Sequence, residues 1–581
     1  MNKFFTLFAV CLLQTFLLKA QYNKLAIPDT LAGYYDAGTH VTNFPISMHE
    51  SMTQFLPGNQ TITAGFNDNT FLGPTLIFNK GEKVQINLLN MLNDTTTLHW
   101  HGIHLPAVMD GGPHQTIPPG TIWQPYWTVD DAASTYWYHP HLHGHTNEQV
   151  RSGLAGLIIV RDSEEASLPL PRRYGLDDIP LVITDRKFDS ITNQFDTIQL
   201  YGDTVLTNGV LNAVDTLPAR VIRFRILGAA QERCYNLGFS DNTTFYVIGS
   251  DGSLLNSPVP LSRYLLSPGE RIEILVNFTG RANNSLDLMA YNDSLNKTTP
   301  GGIPYNGTSL PFLNNKLGHR RFNLLHLQIG SAGSGGYTTI PTTLKTNTFW
   351  NIADTNLSRK MVFVNDTAAN IPFTIDSIPF QMEYINKTIP LNNIEVWTIF
   401  NNSSSGHIFH IHDIQFHIIE RKDVSGNIIA PRAAEEGWKD VVFLDSGQTL
   451  SFITKFTDFA DSIKPYMYHC HMLGHEDAGM MGQFVVVDNH SSGIKDINIL
   501  PESAAIVFPN PATDKLFVEL EDKSTSIYYI TILDNAGRTK YMLPNPHLKD
   551  GLNIADLKPG TYFLSIIDNH GNIIPRKFVK I

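Results

Sequence analysis

A short segment near residue 470 combines the side chains that copper sites use most often. His469, Cys470 and His471 are followed by His475 and then by Met480. Thiolate and thioether sulfur favour Cu(I), while imidazole suits both oxidation states. A cysteine, a histidine and a methionine at these spacings would supply three of the four ligands of a blue-copper site. The fourth ligand should be a histidine from elsewhere in the chain.

Histidines are concentrated in four parts of the sequence. Fifteen of the 22 lie in the segments 99–114, 139–145, 407–417 and 469–475, and each segment contains a His-x-His pair. Residues i and i+2 of a β-strand project from the same face, so four such pairs could direct eight imidazoles inward. In the last pair Cys470 would project from the opposite face. If Cys470 binds one copper ion while His469 and His471 bind others, a path of a few covalent bonds would connect the copper sites and could carry electrons between them.

In order and spacing, these motifs resemble those of the three-domain multicopper oxidases, the group that includes laccases, bilirubin oxidases and bacterial cuprous oxidases. The resemblance covers roughly residues 40–490. Further matches flank the histidines, at Met109-Asp110-Gly111-Gly112-Pro113 and Gly153-Leu154-Ala155-Gly156. Four His-x-His pairs in this order, with the cysteine, histidine and methionine after the last, form a specific signature.

The resemblance implies a ligand set for four copper ions. A type 1 copper would be bound by His407, Cys470, His475 and Met480. A type 2 copper would be bound by His99 and His410, and two type 3 coppers by His101, His139, His141, His412, His469 and His471. No ligand position of the family is missing, which argues against a relative that has kept the fold and lost the metal.

The resemblance also implies the reaction. A small organic or metal-ion donor would give single electrons to the type 1 copper, and dioxygen would be reduced to water at the trinuclear cluster. This reduction consumes protons, and Glu476 and Asp110 occupy the positions that serve proton supply and ligand support in the family. We hypothesise the same roles for both carboxylates.

The sequence also bears on the identity of the electron donor. Cuprous oxidases of the family often carry a methionine-rich insert, whereas only Met361 and Met382 fall between residues 300 and 460 here, and residues 401–406 read Asn-Asn-Ser-Ser-Ser-Gly. We therefore favour a laccase-like oxidase of phenols, aromatic amines or bilirubin-like pigments. Cuprous or ferrous ion oxidation is the alternative activity, and a copper-binding scaffold of the cell envelope is the alternative without catalysis.

Composition favours an all-β protein. Among 581 residues there are 42 glycines and 33 prolines, only 17% of residues are charged, and short β-branched runs alternate with turn signals. The family resemblance implies that these strands form three cupredoxin-like Greek-key β-sandwiches, and a small Ig-like β-sandwich is expected to follow them. A net charge of −12 argues against nucleic acid as a partner.

The chain begins with a predicted secretory signal peptide, residues 1–20, and no later segment is apolar for long enough to span a bilayer. Cys11 would leave with this peptide, so Cys234 and Cys470 would remain, and copper binding by Cys470 would exclude an internal disulfide. The signal peptide predicts a protein that is secreted or displayed at the cell surface.

Predicted boundaries place the cupredoxin domains at residues 21–165, 166–340 and 341–490, a linker at 491–505 and a final domain at 506–581. The last domain resembles the C-terminal sorting domain of type IX secretion, with Phe508-Pro509-Asn510-Pro511 near its start. That resemblance implies the type IX secretion machinery as a partner and passage through the periplasm. An Ig-like binding module is the alternative.

Several residues near the motifs are expected to bind no copper. His143 and His145 extend the second cluster without a ligand role in the family pattern. His104 and His114 are interpreted as solvated loop residues. Trp438-Lys439-Asp440 is interpreted as a structural turn into the next strand.

Overall fold

The computed structural model describes residues 22–304, 315–366, 371–432, 435–488, 502–535, 539–544, 551–568 and 573–581. The predicted signal peptide and residues 491–501 of the predicted linker lie outside these ranges. Strands dominate, and the all-β class is confirmed. The α-helices described are short: Thr146–Ser152, Ser163–Ser167 and Leu473–Asp477. Single 3-10 turns occur at Ala107–Met109, Asn292–Ser294, Ile352–Asp354 and Glu502–Ala504. Within the described ranges, none of the helices has the length and apolarity that a bilayer crossing requires.

The first sandwich packs two sheets around a core that includes Phe44, Phe78, Ile86 and Ile158. One sheet has the spatial order Thr30–Leu31, Thr75–Asn79, Gly156–Arg161, Thr135–His139, His99–His101. The other has the order Tyr126–Thr128, Lys83–Asn90, Val41–Thr53, Tyr34–Asp36, with Thr61–Phe66 paired to Val41–Thr53 and Ile122–Trp123 paired to Lys83–Asn90.

The second sandwich has its own core, which includes Leu217, Ile226, Ile274 and Leu327. Its first sheet has the order Asn23–Lys24, Ala213–Pro218, Arg321–Gly330, Ser285–Tyr291, Tyr235–Phe239, Tyr264–Leu266. Its second sheet has the order Thr204–Thr207, Asp178–Arg186, Val221–Gly228, Arg271–Asn277, Phe245–Gly249, Leu254–Leu261.

The third sandwich is built around aromatic side chains, among them Trp397, Phe409, Phe452 and Phe484. One sheet has the order Ile371–Ile375, Leu357–Asp366, Ile394–Asn401, Thr449–Lys455, His417–Lys422, Ile428–Ile429. The other has the order Lys387–Pro390, Met481–Val487, Asp461–Cys470, His407–Ile411, Val441–Leu444.

The C-terminal region forms a smaller two-sheet unit whose core includes Leu516, Ile532, Ile566 and Phe578. Its strands are Ala505–Phe508, Lys515–Leu520 and Leu552–Asn553 in one sheet, and Thr539–Pro544, Ile527–Asp534, Gly560–Asp568 and Ile573–Lys580 in the other. Alternating apolar residues supply the buried face of these strands, as in Lys515–Leu520.

The four His-x-His pairs lie at strand ends. His99 and His101 belong to one strand, whereas His141, His412 and His471 each fall just beyond the strand that precedes them. Pairing then brings the motifs side by side. His139 lies opposite His99 in the first sandwich, and His410 lies opposite His469 in the third. Strand register thus assembles half of the histidines in each of two sandwiches.

Candidate metal centre

A cysteine-containing cluster lies inside the third sandwich. We use the name Cys470 cluster for His407, Cys470, His475 and Met480, all of which are buried. The Sγ atom of Cys470 lies 3.4 Å from Nδ1 of His407 and 3.8 Å from Nδ1 of His475, and the two Nδ1 atoms are 3.2 Å apart. His475 is carried by the helix Leu473–Asp477, and the backbone N–H of Cys470 donates to the carbonyl oxygen of Met480.

The chemistry of this cluster fits a soft metal ion. Burial raises the pKa of the Cys470 thiol to about 12 and lowers the pKa of His407 to about 3. A bound cation would favour the thiolate, which burial alone disfavours. Ligand atoms at about 2.0–2.3 Å from a first-row metal ion are separated by about 3.3–3.8 Å from one another, which resembles the spacing found here.

A second cluster joins the first and third sandwiches. The eight-histidine cluster consists of His99, His101, His139, His141, His410, His412, His469 and His471. Each of these residues is at most 1% exposed. Candidate ligand atoms form three all-histidine groups, each within 4.8 Å, of which the last two share His412: His101, His139 and His471; His141, His412 and His469; His99, His410 and His412.

Backbone carbonyls contact four rings in this cluster: Nδ1 of His469 lies 3.2 Å from the carbonyl oxygen of Cys470, and three other rings are held in the same way. The Nδ1–H groups donate to the carbonyl oxygens of Asp110, Pro140 and Asp440, from His99 at 3.0 Å, His139 at 2.8 Å and His410 at 2.9 Å. Among the described residues, the Nε2 atoms of these three rings are buried without a hydrogen-bond partner. A neutral imidazole that donates through one nitrogen presents the other as a ligand atom.

Carboxylates orient three rings. Oδ2 of Asp110 lies 2.8 Å from Nδ1 of His412. Glu476 contacts two rings, with Nδ1 of His141 at 3.3 Å and Nδ1 of His469 at 3.2 Å. The opposite nitrogens converge, since Nε2 of His469 lies 3.1 Å from Nε2 of His141 and 3.4 Å from Nε2 of His412. Such outer contacts raise the basicity of metal-bound imidazole and hold its ring in place.

His101 is oriented the other way round. Its Nε2 lies 3.2 Å from Oδ1 of Asp440, and its Nδ1 is buried without a hydrogen-bond partner among the described residues. His101 therefore presents Nδ1 to the cluster, where the six rings described above present Nε2. His471 has no hydrogen-bond partner for either ring nitrogen in the described chain and packs over the backbone at Gly269.

Electrostatics keep the rings of His101, His139 and His471 in the neutral form that binds metal. Burial and the neighbouring rings hold the pKa of His101 and of His139 well below the usual value, and burial lowers the pKa of His471 to about 3. Burial alone would raise the pKa of Glu476, but His141 and His469 hold it well below its usual range. Neutral imidazoles with free inward nitrogens and an ionised carboxylate behind them fit copper ions.

Peptide bonds connect the two clusters directly. Cys470 belongs to one cluster, and its chain neighbours His469 and His471 belong to the other. His407 and His410 divide in the same way along one strand, because side chains alternate between its two faces.

Comparison with known proteins identifies the family. The multicopper oxidase family matches residues 40–165 and 343–490. A multicopper oxidase (mco) of Staphylococcus epidermidis is 32% identical over 474 residues, which cover 80% of this chain and 93% of that protein. The cell division protein FtsP of Sodalis glossinidius is 29% identical over 440 residues, which cover 74% of this chain and 86% of that protein.

A solved structure is similar over the same region. The laccase-like multicopper oxidase CueO of Ochrobactrum sp., which has oxidase activity towards lignin model compounds and lignosulfonate, superposes with a TM-score of 0.69 at 30% identity. The match covers 80% of this chain and 100% of that chain. The fold and the two clusters are those of a cupredoxin-based copper protein, and the chain belongs to the multicopper oxidase family. It is a copper-dependent oxidoreductase that uses dioxygen, and the family binds one type 1, one type 2 and two type 3 coppers.

The C-terminal unit matches a second family. Residues 506–581 match the secretion-system C-terminal sorting domain. The predicted resemblance to a type IX sorting domain is confirmed. A sorting domain indicates secretion or display at the cell surface.

His104 and His114 lie in loops, as expected, but they are only partly exposed and each makes a side-chain contact with a distant residue. The side chain of His104 is 17% exposed, and its Nδ1 lies 2.7 Å from Oδ1 of Asp413. Nε2 of His114 lies 2.8 Å from Oε1 of Gln483. Both contacts join the first sandwich to the third. Local sequence could not indicate them, because each partner lies about 300 or more residues away in the chain.

Sequence interpretation also missed the role of Asp440. The segment around it is a bend, as expected, but Asp440 contacts His101 through its carboxylate and His410 through its backbone carbonyl. Of the two histidines that extend the second motif, His145 pairs with Glu148 at the surface and His143 packs against Phe380, outside both clusters.

The surroundings of His475 define the approach to the Cys470 cluster. His475 is 6% exposed, and Phe373 stacks on its ring with 3.9 Å between centroids. Oε2 of Glu232 lies 4.0 Å from Nε2 of His475. Glu232 belongs to the second sandwich and is buried, and burial raises its pKa to about 8. The sequence offered no signal for either residue.

Proposed function

We propose that the protein is a laccase-like oxidase that removes single electrons from phenols or related organic donors and reduces dioxygen to two waters. The Cys470 cluster would hold the type 1 copper. His99 and His410 would hold the type 2 copper, and the type 3 pair would take His101, His139, His141, His412, His469 and His471. The observation that carries this proposal is a set of buried ring nitrogens without a partner among the described residues, in a cluster whose members His469 and His471 adjoin Cys470 in the chain. These nitrogens belong to His99, His101, His139, His410 and His471.

Bound copper would supply one-electron transfer and dioxygen chemistry. The protein chain positions the side chains that surround and connect the two clusters. Cys470 connects the two clusters through the backbone of its neighbours, and His475 lies nearest the surface of the Cys470 cluster. The carboxylate oxygens of Glu476 lie 3.3 and 3.2 Å from Nδ1 of His141 and of His469, and Asp110 accepts a hydrogen bond from His412. We propose that these two carboxylates pass protons to the oxygen that is reduced.

Two features near His475 bear on the donor. Phe373 provides an aromatic face beside the ring, which supports an organic donor. Glu232 provides a carboxyl group near Nε2 of His475, which favours a metal ion when ionised. Cuprous or ferrous ion oxidation is therefore the second candidate. We favour the organic donor because the pKa of Glu232 is raised by burial and its neutral form would not attract a cation.

The third hypothesis is a scaffold without catalytic activity, and the similarity to cell division proteins named FtsP supports it. The complete set of buried ligand residues opposes it. A protein that only supports assembly has no need for neutral imidazoles with free inward nitrogens, since each buried polar atom without a partner costs about 1–3 kcal/mol.

We further propose that residues 1–20 direct export to the periplasm and that the type IX machinery then carries the protein across the outer membrane. The predicted domains 21–165, 166–340 and 341–490 are supported by the grouping of sheets around three separate cores. The strand Asn23–Lys24 nevertheless pairs with Ala213–Pro218 of the second sandwich.

Oxygen uptake by copper-loaded protein tests the proposal. The rate is measured with a phenolic donor and, in parallel, with Cu(I), together with an absorption spectrum and a copper count. We expect blue absorption, four copper ions and faster uptake with the phenol. Faster oxygen uptake with Cu(I) would show that the protein oxidises metal ions rather than organic donors. Four bound copper ions without oxygen uptake for either donor would favour a scaffold without catalysis.

A further inference from the structure

Arg271 reaches the metal centre from the second sandwich, which contributes no residue to the proposed ligand set. It begins the strand Arg271–Asn277 and is fully buried. Its guanidinium forms a two-pronged contact with Asp440, with Nη1 2.6 Å from Oδ1 and Nη2 2.6 Å from Oδ2. Asp440 is the residue that contacts His101. A side chain of the second sandwich is therefore one contact away from a proposed ligand.

All five guanidinium N–H groups of Arg271 have acceptors. Besides the two bonds to Asp440, Nε donates to the carbonyl oxygen of Thr135, Nη1 to that of Gly269 and Nη2 to that of Asp251. Thr135 begins the strand that ends at His139. A fully satisfied fork of this kind has one orientation, since every rotation would leave buried N–H groups without partners. Arg271 thus fixes Asp440 relative to a strand of the first sandwich.

Asp440 transmits this position to two rings of the eight-histidine cluster. Its Oδ1 atom accepts from Nε2 of His101, and its backbone carbonyl accepts from Nδ1 of His410. The Nε2 contact is what turns Nδ1 of His101 toward the cluster. A second support lies behind Asp440, because Oδ2 of Asp251 accepts its backbone N–H at 3.3 Å and Lys439 bridges Asp251 and Glu270.

Two glycines allow the close approach of these groups. At Gly102, which follows His101 at φ +87°, a Cβ would lie 2.5 Å from Oδ2 of Asp440 and 2.7 Å from Nη2 of Arg271. At Gly269, with φ +78°, a Cβ would lie 2.9 Å from the ring of His471. Both positions combine a left-handed backbone with contact against the cluster, so side chains are excluded there.

We propose that Arg271 is a positioning residue of the copper centre: through Asp440 it sets the orientation in which His101 presents Nδ1 to the type 3 pair. The second sandwich thereby completes a metal centre whose ligands come from the first and third. This inference rests on the proposed ligand assignment. Outer contacts of this kind change metal affinity by about 10–100-fold when they are removed.

The test compares Arg271→Lys with Arg223→Lys in copper-loaded protein. Arg223 is a matched control, since it is buried in the neighbouring strand and contacts the carboxylates of Glu273 and Glu165, at 3.0 and 2.6 Å, without touching a ring of either cluster. Lysine preserves the positive charge but cannot form the two parallel hydrogen bonds that a guanidinium group makes with a carboxylate. The readouts are the blue absorption of the Cys470 cluster, the copper count against a competing chelator, and the electron paramagnetic resonance spectrum.

We expect Arg271→Lys to retain blue absorption, to lose copper from the eight-histidine cluster at about tenfold lower chelator concentration, and to change the resonance of the remaining copper. Arg223→Lys should match the wild type in all three. Equal behaviour of the two variants would overturn the proposal. Loss of blue absorption in Arg271→Lys alone would also overturn it, because the effect would then be on the fold.

Asp440→Asn provides an independent arm, because asparagine keeps the shape of the side chain and leaves the backbone contact to His410 in place. It should reproduce the copper loss of Arg271→Lys, and the double variant should not exceed the larger single effect, since both act through one contact. Additive losses, or wild-type copper retention in Asp440→Asn, would contradict the proposal. Failure of wild-type protein to bind four coppers would instead refute the proposed ligand assignment.

Discussion

The Cys470 cluster and the eight-histidine cluster are built in different ways. All members of the Cys470 cluster come from residues 407–480 of one sandwich, and three of them follow one another at intervals of five residues. The eight-histidine cluster takes four rings from each of two sandwiches, and its outer contacts include Asp440, which Arg271 of the second sandwich holds. The first can form when one domain folds, whereas the second requires three domains to dock.

The difference predicts separable failures. Changes within the third sandwich should damage the Cys470 cluster locally. Changes at the junction of sandwiches should damage the eight-histidine cluster and the docking of domains together. The following experiments would break or sharpen this contrast.

Cys470→Ser should have the largest effect. Serine lacks the sulfur on which thiolate-to-copper charge transfer depends, so the blue absorption should disappear and donor oxidation should be abolished. The eight-histidine cluster should still bind its copper, and the copper count should fall from four to three. Absorption spectra and metal analysis of the purified variant decide the point. A retained blue band would overturn the assignment of Cys470.

Copper removal should destabilise both sandwiches that share the eight-histidine cluster. Ligand at a thousand times its dissociation constant stabilises a protein by about 4 kcal/mol per site, so the chelated protein should unfold at a clearly lower temperature. Hydrogen exchange should increase in peptides around residues 99–101 and 139–141 as well as 407–412. Faster exchange confined to the third sandwich would argue against a shared cluster.

Glu476→Gln should slow dioxygen reduction by about 100-fold, or about 2.7 kcal/mol, while the blue absorption remains. The amide keeps the shape of the side chain but loses the charge and the capacity to carry a proton. Stopped-flow reoxidation of fully reduced protein gives the rate. Glu148→Gln is the control, because Glu148 is an exposed carboxylate that contacts only His145 among the pairs described. An unchanged rate in Glu476→Gln would exclude it from proton supply.

His104 should produce a smaller, pH-dependent effect at the junction of the first and third sandwiches. Burial lowers its pKa, but Asp413 with Asp131 and Asp458 raises it to about 10. The folded protein therefore holds this proton more tightly than the unfolded chain, whose histidine titrates near 6.5. The stabilisation, about 2 kcal/mol for a charged hydrogen bond, should be complete below about pH 6.5 and lost as the pH rises toward 10.

The comparison of wild type with His104→Gln measures this contribution. The difference between their thermal midpoints should be greatest near pH 6 and should shrink toward pH 10. A difference independent of pH would show that His104 contributes packing rather than charge.

Much of the site could be read from the sequence because strand geometry is local. Alternation along a strand places His407 and His410 on opposite faces, and the chain itself places Cys470 between His469 and His471. The all-β class followed from short β-branched runs between turn residues, and the sorting domain from its own motif.

Residues that act through distant contacts could not be read in this way. His104 was interpreted as solvated although Asp413 binds it, and Asp440 was interpreted as part of a turn although it contacts two rings of the cluster. No sequence motif indicates a role for Arg271, which is a single arginine at the start of a strand.

The sequence by itself determined three features: the side chains that can bind copper, their arrangement in His-x-His pairs, and the covalent connection through Cys470. These features depend only on residue type and on spacing along the chain. Only the tertiary structure decided which ring nitrogen each histidine presents and which carboxylate supports it. Those features depend on partners brought together from separate sandwiches, and the energy of a buried hydrogen bond depends on the position of both groups.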